Sequence, residues 1–405
     1  MNSAIKPNLQ RRRFFQALGM APVFLSPLTL ANVAQKKKGL GQEVWISAAT
    51  QSAAPNEKVN GLAWFGAPPE LVNSPYLPTE FRGHGLCFDP NHPHHALMMA
   101  RRPGMRGVIV DVGKGKQVAE FVTQSPYEFQ GHACYSADGS KIFTSEMFHD
   151  DTHPEKNGQG RIGIRDATNY EWVGELNSYG VEPHEIKLMP DGRTLVIANG
   201  GLAPEDKHSN TTPADAMESS LVFVDSVSGE LIERCVVDEK KASIRHISIS
   251  DDGTVVAALQ VQRQVLKDTV ARPLAVIKRP GEDLTYLHAP ETVWLGAKDY
   301  MGSVALWQDT ASGSSSAKGI TVAGMTSPRG NFAVFWDVKS GSFLGYHALH
   351  DVCGIAISQI NQSFVLTNSA GDVRFIDPIS LQEHRHLRQK YQNTRWDNHL
   401  VVSVV

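Results

Sequence analysis

The feature that most limits the fold of this chain is a repeat of about fifty residues marked by Asp-Gly pairs. The pairs are Asp138-Gly139, Asp191-Gly192 and Asp252-Gly253. Each pair lies between two short apolar segments, the first of which begins near a histidine. Asp-Gly between apolar strands is a strong signal for a β-hairpin. A repeat of this length that contains hairpins is typical of a β-propeller blade.

The number of blades follows from the predicted innermost strands, which should begin near seven positions. These are His84, His132, His184, His246, Ser303, Gly354 and His399. Each interval has room for four strands, and third strands that end in aspartate recur within them. We therefore predict an all-β fold, a seven-bladed β-propeller, with six or eight blades as the alternatives.

The two ends of the repeat region predict how the ring closes. Residues 43–50 and 61–66 have the pattern of a second and a third strand without a first, whereas residues 398–404 have the pattern of a first strand with nothing after it. Placed together they complete the first blade, and a closed ring has no exposed sheet edges. The predicted domain is therefore a single propeller over residues 35–405, closed by the C-terminal strand.

The first 34 residues predict an export signal. The run Arg11-Arg12-Arg13-Phe14-Phe15 resembles the twin-arginine motif, with glutamine on both sides. The apolar stretch that follows is interrupted by glycine and proline, and it is too short for a membrane span of about 20 residues. We expect residues 1–34 to be a twin-arginine signal peptide that directs the chain to the periplasm and leaves no stable membrane span after cleavage. An uncleaved membrane anchor is the alternative.

Charge and cysteine content exclude some classes of protein. The formal net charge is −3, so no nucleic-acid partner is expected. Four cysteines are too few for a fold built on disulfides, and free thiols are expected.

Eight short segments together resemble a known family. They are residues 82–85, 131–132, 182–185, 245–246, 300–303, 327–330, 353–354 and 396–399. The blade pattern is similar to YVTN-type propellers. Its details resemble a family of periplasmic seven-bladed propellers, a domain of unknown function often encoded beside imelysin-type iron-uptake proteins. The resemblance implies a periplasmic location and partners among iron-uptake proteins, but it implies no activity.

Histidine recurs at one position of the predicted inner strands. Five of the seven strands open with it, at His84, His132, His184, His246 and His399. Inner strands line the channel of a propeller, so equivalent positions should lie on one ring at one mouth. Converging imidazoles suit a transition metal such as iron, copper or zinc. Two other interpretations remain. In the first, the histidines form hydrogen bonds between adjacent blades, a structural role that duplication of the repeat would have left in each unit. In the second, they act directly in catalysis.

Six polar residues beside these positions are predicted to bind a ligand. They are Arg82, Glu182, Arg245, Ser303, Arg329 and Asp397. Carboxylates can orient imidazole ligands, and an arginine in a turn, such as Arg329, can clamp a carboxylate or phosphate. Ser303 and Gly354 replace histidine in two blades, which leaves a gap in the predicted ring.

Together these patterns predict a periplasmic binding protein, an accessory factor in the uptake of iron or another transition metal. A propeller enzyme is the first alternative, either a lactonase-like hydrolase or a metal- or quinone-dependent oxidoreductase. The hydrolase would need a carboxylate paired with histidine, such as Glu182 or Glu185 with His184. The second alternative is a protein-interaction platform without a small ligand.

Overall fold

The strands of the protein form seven antiparallel sheets, each of four or five strands. The computed structural model describes residues 41–54, 57–66, 76–202, 217–239, 241–263, 266, 268–309 and 319–404. The predicted signal peptide, residues 1–34, lies outside the described residues. The seven sheets follow the chain as the blades of a propeller, which confirms the predicted fold.

The strands are numbered in chain order. The first blade begins with β1 (Glu43–Ala54), β2 (Glu57–Phe65) and β3 (Tyr76–Pro78). Blade 2 is β4 (Gly83–Asp89), β5 (His92–Ala100), β6 (Arg106–Asp111) and β7 (Lys116–Val122). Blade 3 is β8 (Tyr127–Tyr135), β9 (Lys141–Phe148), β10 (Gln159–Asp166) and β11 (Trp172–Val181). Blade 4 is β12 (Pro183–Leu188), β13 (Thr194–Asn199), β14 (Ser219–Asp225) and β15 (Leu231–Val237).

The remaining blades have the same order. Blade 5 is β16 (Ala242–Ile249), β17 (Val255–Val261), β18 (Ala275–Lys278) and β19 (Thr285–Tyr286). Blade 6 is β20 (Val304–Gln308), β21 (Thr321–Ser327), β22 (Phe332–Asp337) and β23 (Phe343–Ala348). Blade 7 is β24 (Val352–Ser358), β25 (Ser363–Asn368), β26 (Asp372–Ile376) and β27 (Gln389–Lys390). The last strands are β28 (Thr394–Trp396) and β29 (Val401–Val404). Short helices lie at Pro154–Lys156, Glu291–Gly296 and Arg385–Leu387.

The ring closes through the first blade, as the sequence predicts. Both β28 and β29 pair antiparallel with β1, where Thr50 lies opposite Arg395 and Trp45 lies opposite Val402. The two strands together take the innermost place of blade 1, with β2 and β3 outside β1. Because the C-terminal strands complete the N-terminal sheet, the ring has no open seam there.

Apolar side chains fill the spaces between neighbouring blades. One buried cluster joins Val44 and Trp64 of blade 1 to Met98 of blade 2. Another joins blade 1 to blade 7, where the rings of Trp45 and Phe375 are 6.4 Å apart at their centroids. Burial of this apolar surface holds the blades together. The four cysteines are free thiols, three of them partly buried and Cys353 buried.

Four inner strands change register with the neighbouring strand at their histidines. The shifts fall between Gly83 and Leu86, Phe129 and Ala133, Pro183 and Glu185, and Ile244 and Ile247. A β-bulge bends its strand and redirects a side chain, and bulges are frequent beside functional sites. His84 and His184 are the second residues of β4 and β12, close to the predicted strand starts. His132 and His246 lie inside their strands, because β8 begins at Tyr127 and β16 at Ala242.

Candidate metal centre

The five histidines predicted from the sequence meet in the central channel. Rings on blades that are not neighbours come close together: the centroids of His84 and His246 are 5.9 Å apart, and those of His84 and His184 are 5.6 Å apart. The ring centroids of His399 and His246 are 4.3 Å apart. Such distances require the rings to point into the channel rather than between adjacent blades. We call these five residues the histidine cluster. All of them are buried, and the most accessible is 9% exposed.

One contact in the histidine cluster fixes a tautomer. His246 Nδ1 lies 3.0 Å from the carbonyl oxygen of Gly302, which can only accept a hydrogen bond. Nδ1 therefore carries the proton, and His246 Nε2 accepts a hydrogen bond from His184 Nε2 at 3.2 Å. Two nitrogens bound to one tetrahedral zinc ion at about 2.0 to 2.1 Å would be about 3.3 Å apart. This pair of rings is thus already spaced like two metal ligands.

The other rings have nitrogens without hydrogen bonds. His84 Nδ1, His132 Nε2 and His399 Nε2 are buried and have no hydrogen-bond partner among the described residues. Each such atom costs about 1 to 3 kcal/mol. One nitrogen from each of four rings lies within 4.8 Å of the others, so the group could hold a metal ion. The four are His84, His132, His184 and His246.

The cluster is uncharged at neutral pH. Burial, followed by the positive charge of neighbouring groups, lowers the pKa of four rings well below its usual value. The same causes lower the pKa of His399 to about 3. Neutral imidazole is the form that binds metal ions.

Two glycines allow the rings to approach each other. A Cβ atom on Gly85 would lie 2.7 Å from His132 Nδ1, and one on Gly131 would lie 2.7 Å from His84 Cδ2. Gly131 also has a φ of +100°, which side chains rarely adopt. The glycines beside His84 and His132 therefore leave the space that these rings occupy.

The blades without histidine hold the segment that carries His399. The backbone N–H of His399 donates to Ser303 Oγ at 3.0 Å. A Cβ atom on Gly354 would lie 3.0 Å from Leu400 Cβ. The sequence predicted a gap in the ring of histidines at Ser303 and Gly354. The C-terminal segment occupies this space, and the hydroxyl of Ser303 positions the backbone of His399.

A buried ion-pair network lies beside the cluster at the channel mouth, the end of the channel where β4, β12 and β16 begin. Glu182 accepts a hydrogen bond from Arg245 at 2.6 Å and forms a second ion pair with Arg102. Burial lowers the pKa of Arg245 to about 10. Glu182 has a φ of +55°, in the left-handed region that side chains seldom occupy.

The two carboxylates that the sequence paired with His184 for a hydrolase, Glu182 and Glu185, have no described hydrogen bond or ion pair with that ring. The described hydrogen bonds of the His184 ring lead to His246 and, at 3.5 Å, to Arg245. Glu182 is engaged by two arginines. Glu185 lies 3.8 Å from His132, accepts a hydrogen bond from the backbone of Ile247, and has a pKa raised by burial.

The remaining predicted ligand residues contact each other or other residues at the channel mouth. Arg82 Nε donates to Asp397 at 2.6 Å. Arg329 lies over the ring of Tyr300, with its guanidinium carbon 5.0 Å from the ring centroid, and donates to the carbonyl of Lys298. These three side chains lie at the channel mouth but have no described contact with the imidazoles.

Sequence reasoning missed Arg101, Arg102 and Lys187. The two arginines follow β5 in the loop between the second and third strands of blade 2, the same kind of loop that pointed to Arg329. That signal could have identified them. Lys187 follows Glu185 by two positions, on the same face of β12, and its Nζ is 3.4 Å from that carboxylate.

A second, more accessible group lies at the other end of β4. Asp89, His92 and His95 place one ligand atom each within 4.8 Å of the others. His92 Nδ1 is 2.9 Å from Asp89, but the His92 side chain is 63% exposed. Metal binding at the histidine cluster must therefore be distinguished from weaker binding here.

Comparisons with known proteins place the chain in a family. Among curated proteins, none matches the chain. None of the helices that the structure describes has the length and apolar character needed to cross a membrane. The sequence profile described as "Protein of unknown function (DUF1513)" matches residues 77–403, from the outer strand of the first blade to the strand that closes it. The chain therefore belongs to the DUF1513 family, with the fold of a seven-bladed propeller that carries a buried histidine cluster on its channel.

Proposed function

We propose that the protein binds a transition-metal ion in the histidine cluster and serves as an accessory factor in the uptake of iron or another transition metal. One observation carries this proposal. Imidazole nitrogens from four blades come within 4.8 Å of one another, and some of them have no other described partner. A metal ion would satisfy these buried lone pairs.

The ligand chemistry limits the choice of ion. The cluster offers neutral imidazoles and no thiolate, which suits iron, copper and zinc better than magnesium or calcium. In solution copper should bind more tightly than iron(II) or zinc, because nitrogen sites follow this order. We favour iron as the ion in the cell because of the resemblance to propellers encoded beside iron-uptake proteins, which are also the proposed partners.

Replacing Arg11 and Arg12 with lysine should keep the protein in the cytoplasm. The proposed periplasmic location depends on the twin-arginine motif in residues 1–34, and lysine removes the guanidinium pair without changing the charge. Cell fractionation of the two forms measures the effect. A lysine variant found in the periplasm at the level of the unchanged protein would contradict the proposed route.

A second candidate is a metal-dependent enzyme, because the site is deeply buried. A protein that delivers its ion must release it, whereas rings that are at most 9% exposed favour an ion that stays bound. Release to a chelator distinguishes the two: exchange within minutes supports an uptake factor, and an ion retained for hours supports an enzyme.

Titration of metal-free protein with zinc or copper should show one tight site that depends on the cluster. Replacing His132 and His184 together with alanine removes two of the four ligands, and we expect the affinity to fall by at least about a hundredfold. The matched control is His92→Gln, which disables the exposed group near Asp89 and should leave the tight site intact. Calorimetry measures the affinity of each variant, and elemental analysis measures the metal that each variant retains. Equal tight binding by the folded double variant would rule out the histidine cluster as the site.

Two glycine-to-alanine variants test the arrangement of the imidazole rings without removing a metal ligand. A Cβ atom at Gly85 would lie 2.4 Å from the backbone carbonyl oxygen of Gly131 and 2.7 Å from His132 Nδ1. Gly85→Ala should therefore shift the segment that carries the His132 ring, and we expect weaker metal binding by the folded variant. Gly174→Ala is the control, because a Cβ atom there meets nothing within 4 Å. The difference in affinity between the two variants reports the packing of the rings.

A further inference from the structure

Four arginines and five uncharged residues line a cavity at the channel mouth. It has a volume of about 440 Å³ and is formed by residues 81–82 and 100–106. Four guanidinium groups belong to its wall: Arg82, Arg101, Arg102 and Arg106. Cavities of about 300 to 1,000 Å³ are the usual size for small-molecule sites. Its lining differs from that of the histidine cluster, which offers lone pairs instead of positive charge.

The carboxylates near this cavity do not balance its cations. Arg102 shares Glu182 with the buried Arg245, so two guanidiniums depend on one carboxylate. Arg82 has Asp397. Arg101 has no ion-pair partner in the part of the chain that the structure describes. Arg106 pairs with Glu80 and Glu120. Counting Arg245, five guanidiniums thus face four carboxylates, and the guanidinium left without a described partner is that of Arg101.

The excess positive charge acts on the neighbouring groups. Burial, followed by the charges of Arg245 and Arg101, lowers the pKa of Arg102 well below its usual value. Arg82 and Arg101 are exposed, so an anion can reach both from solvent, and their positive charge attracts it.

We propose that this cavity binds a small oxyanion, a carboxylate or a phosphate, with Arg101 and Arg82 as its charged contacts. Guanidinium groups match both anions because they donate parallel hydrogen bonds to two oxygens. Arg101 brings an unpaired charge, while Arg82 keeps Nη groups beyond the Nε that donates to Asp397. The site goes beyond the proposed metal function, since it uses other residues and needs no ion in the histidine cluster.

Calorimetry with metal-free protein tests the proposal, with citrate and inorganic phosphate as separate probes at low ionic strength. We expect one saturable site for at least one probe. Arg101→Gln should weaken binding about tenfold or more, the effect of losing a charged hydrogen bond. Arg193→Gln is the matched control: it removes the same charge from an exposed side chain in the turn after β12, at the other end of the blade. Arg82→Gln should act like Arg101→Gln, and thermal melting confirms that each variant is folded.

Three results would overturn the anion site. They are no saturable binding of either probe to the unchanged protein, equal affinity in Arg101→Gln, and an equal loss in Arg193→Gln, which would mean a non-specific effect of net charge. The variant with alanine at His132 and His184 separates the two proposals. It should still bind the anion when folded, so failure of metal binding and failure of anion binding can be observed independently.

Discussion

Lowering the pH from about 7 to about 5 should remove most of the stability of the metal-free protein. The five histidines of the cluster are held neutral by burial, which lowers their pKa values. Unfolding exposes them to water, where their pKa returns to about 6.5. Below that value the unfolded chain binds protons that the folded chain does not, so stability falls as the pH falls.

The expected effect is large. Each histidine that stays neutral in the fold costs about 1.4 kcal/mol per pH unit below the pKa of the unfolded chain. Five together give up to about 7 kcal/mol per unit, which is comparable to the whole stability of many proteins. Glu185 offsets a part, because its raised pKa acts in the opposite direction. Saturating zinc should shift the loss to lower pH, since the ion competes with protons.

Urea unfolding at several pH values measures this dependence. Replacing His132 and His399 together with glutamine should reduce the slope of the unfolding free energy against pH by about 3 kcal/mol per pH unit, because two fewer protons are taken up on unfolding. The control replaces two exposed histidines, His153 and His386, and should leave the slope unchanged. If both double variants had the slope of the unchanged protein, buried neutral histidines would not be the cause of acid sensitivity.

Deleting residues 398–405 should abolish cooperative folding. The deletion removes β29, which pairs with β1 from Ile46 to Glu43. It also removes Leu400, which is 4% exposed and packs between blades 1 and 7. Loss of a buried leucine alone costs about 2 to 5 kcal/mol, and the exposed edges of β1 and the open ring favour aggregation.

Thermal unfolding and size-exclusion chromatography measure the result. His399→Gln is the control, because it removes the ring but keeps the closing strand, and it should unfold cooperatively near the temperature of the unchanged protein. A soluble truncated protein with an unchanged melting temperature would show that the ring is stable without this strand.

The sequence predicted the fold in unusual detail because its signals are local. Asp138-Gly139 marks a hairpin, and Gly139 has the positive φ, +69°, that such turns need. Closure of the ring could also be predicted, since incomplete strand sets at the two ends have one simple solution. The same reasoning placed five histidines at equivalent positions of the blades.

The chemistry of the channel mouth depends on features that are not local. A bulge at His132 or His246 is a register shift between two strands, and the strand pattern does not reveal it. The partners of Glu182 come from blades 2 and 5, which are distant in the chain. The sequence therefore indicated which residues could meet but not which ion pairs they would form.

The order of the histidines along the chain has a consequence for biosynthesis. The ribosome makes blades 2 to 5, with four rings, before it makes the Ser303 and Gly354 regions that hold the fifth. The carbonyl of Gly302, which sets the tautomer of His246, also follows all four rings. Nascent chains would thus display imidazoles long before the completed geometry exists. The full arrangement, with the Gly302 contact and the fifth ring, is therefore complete only once the last strand has been made.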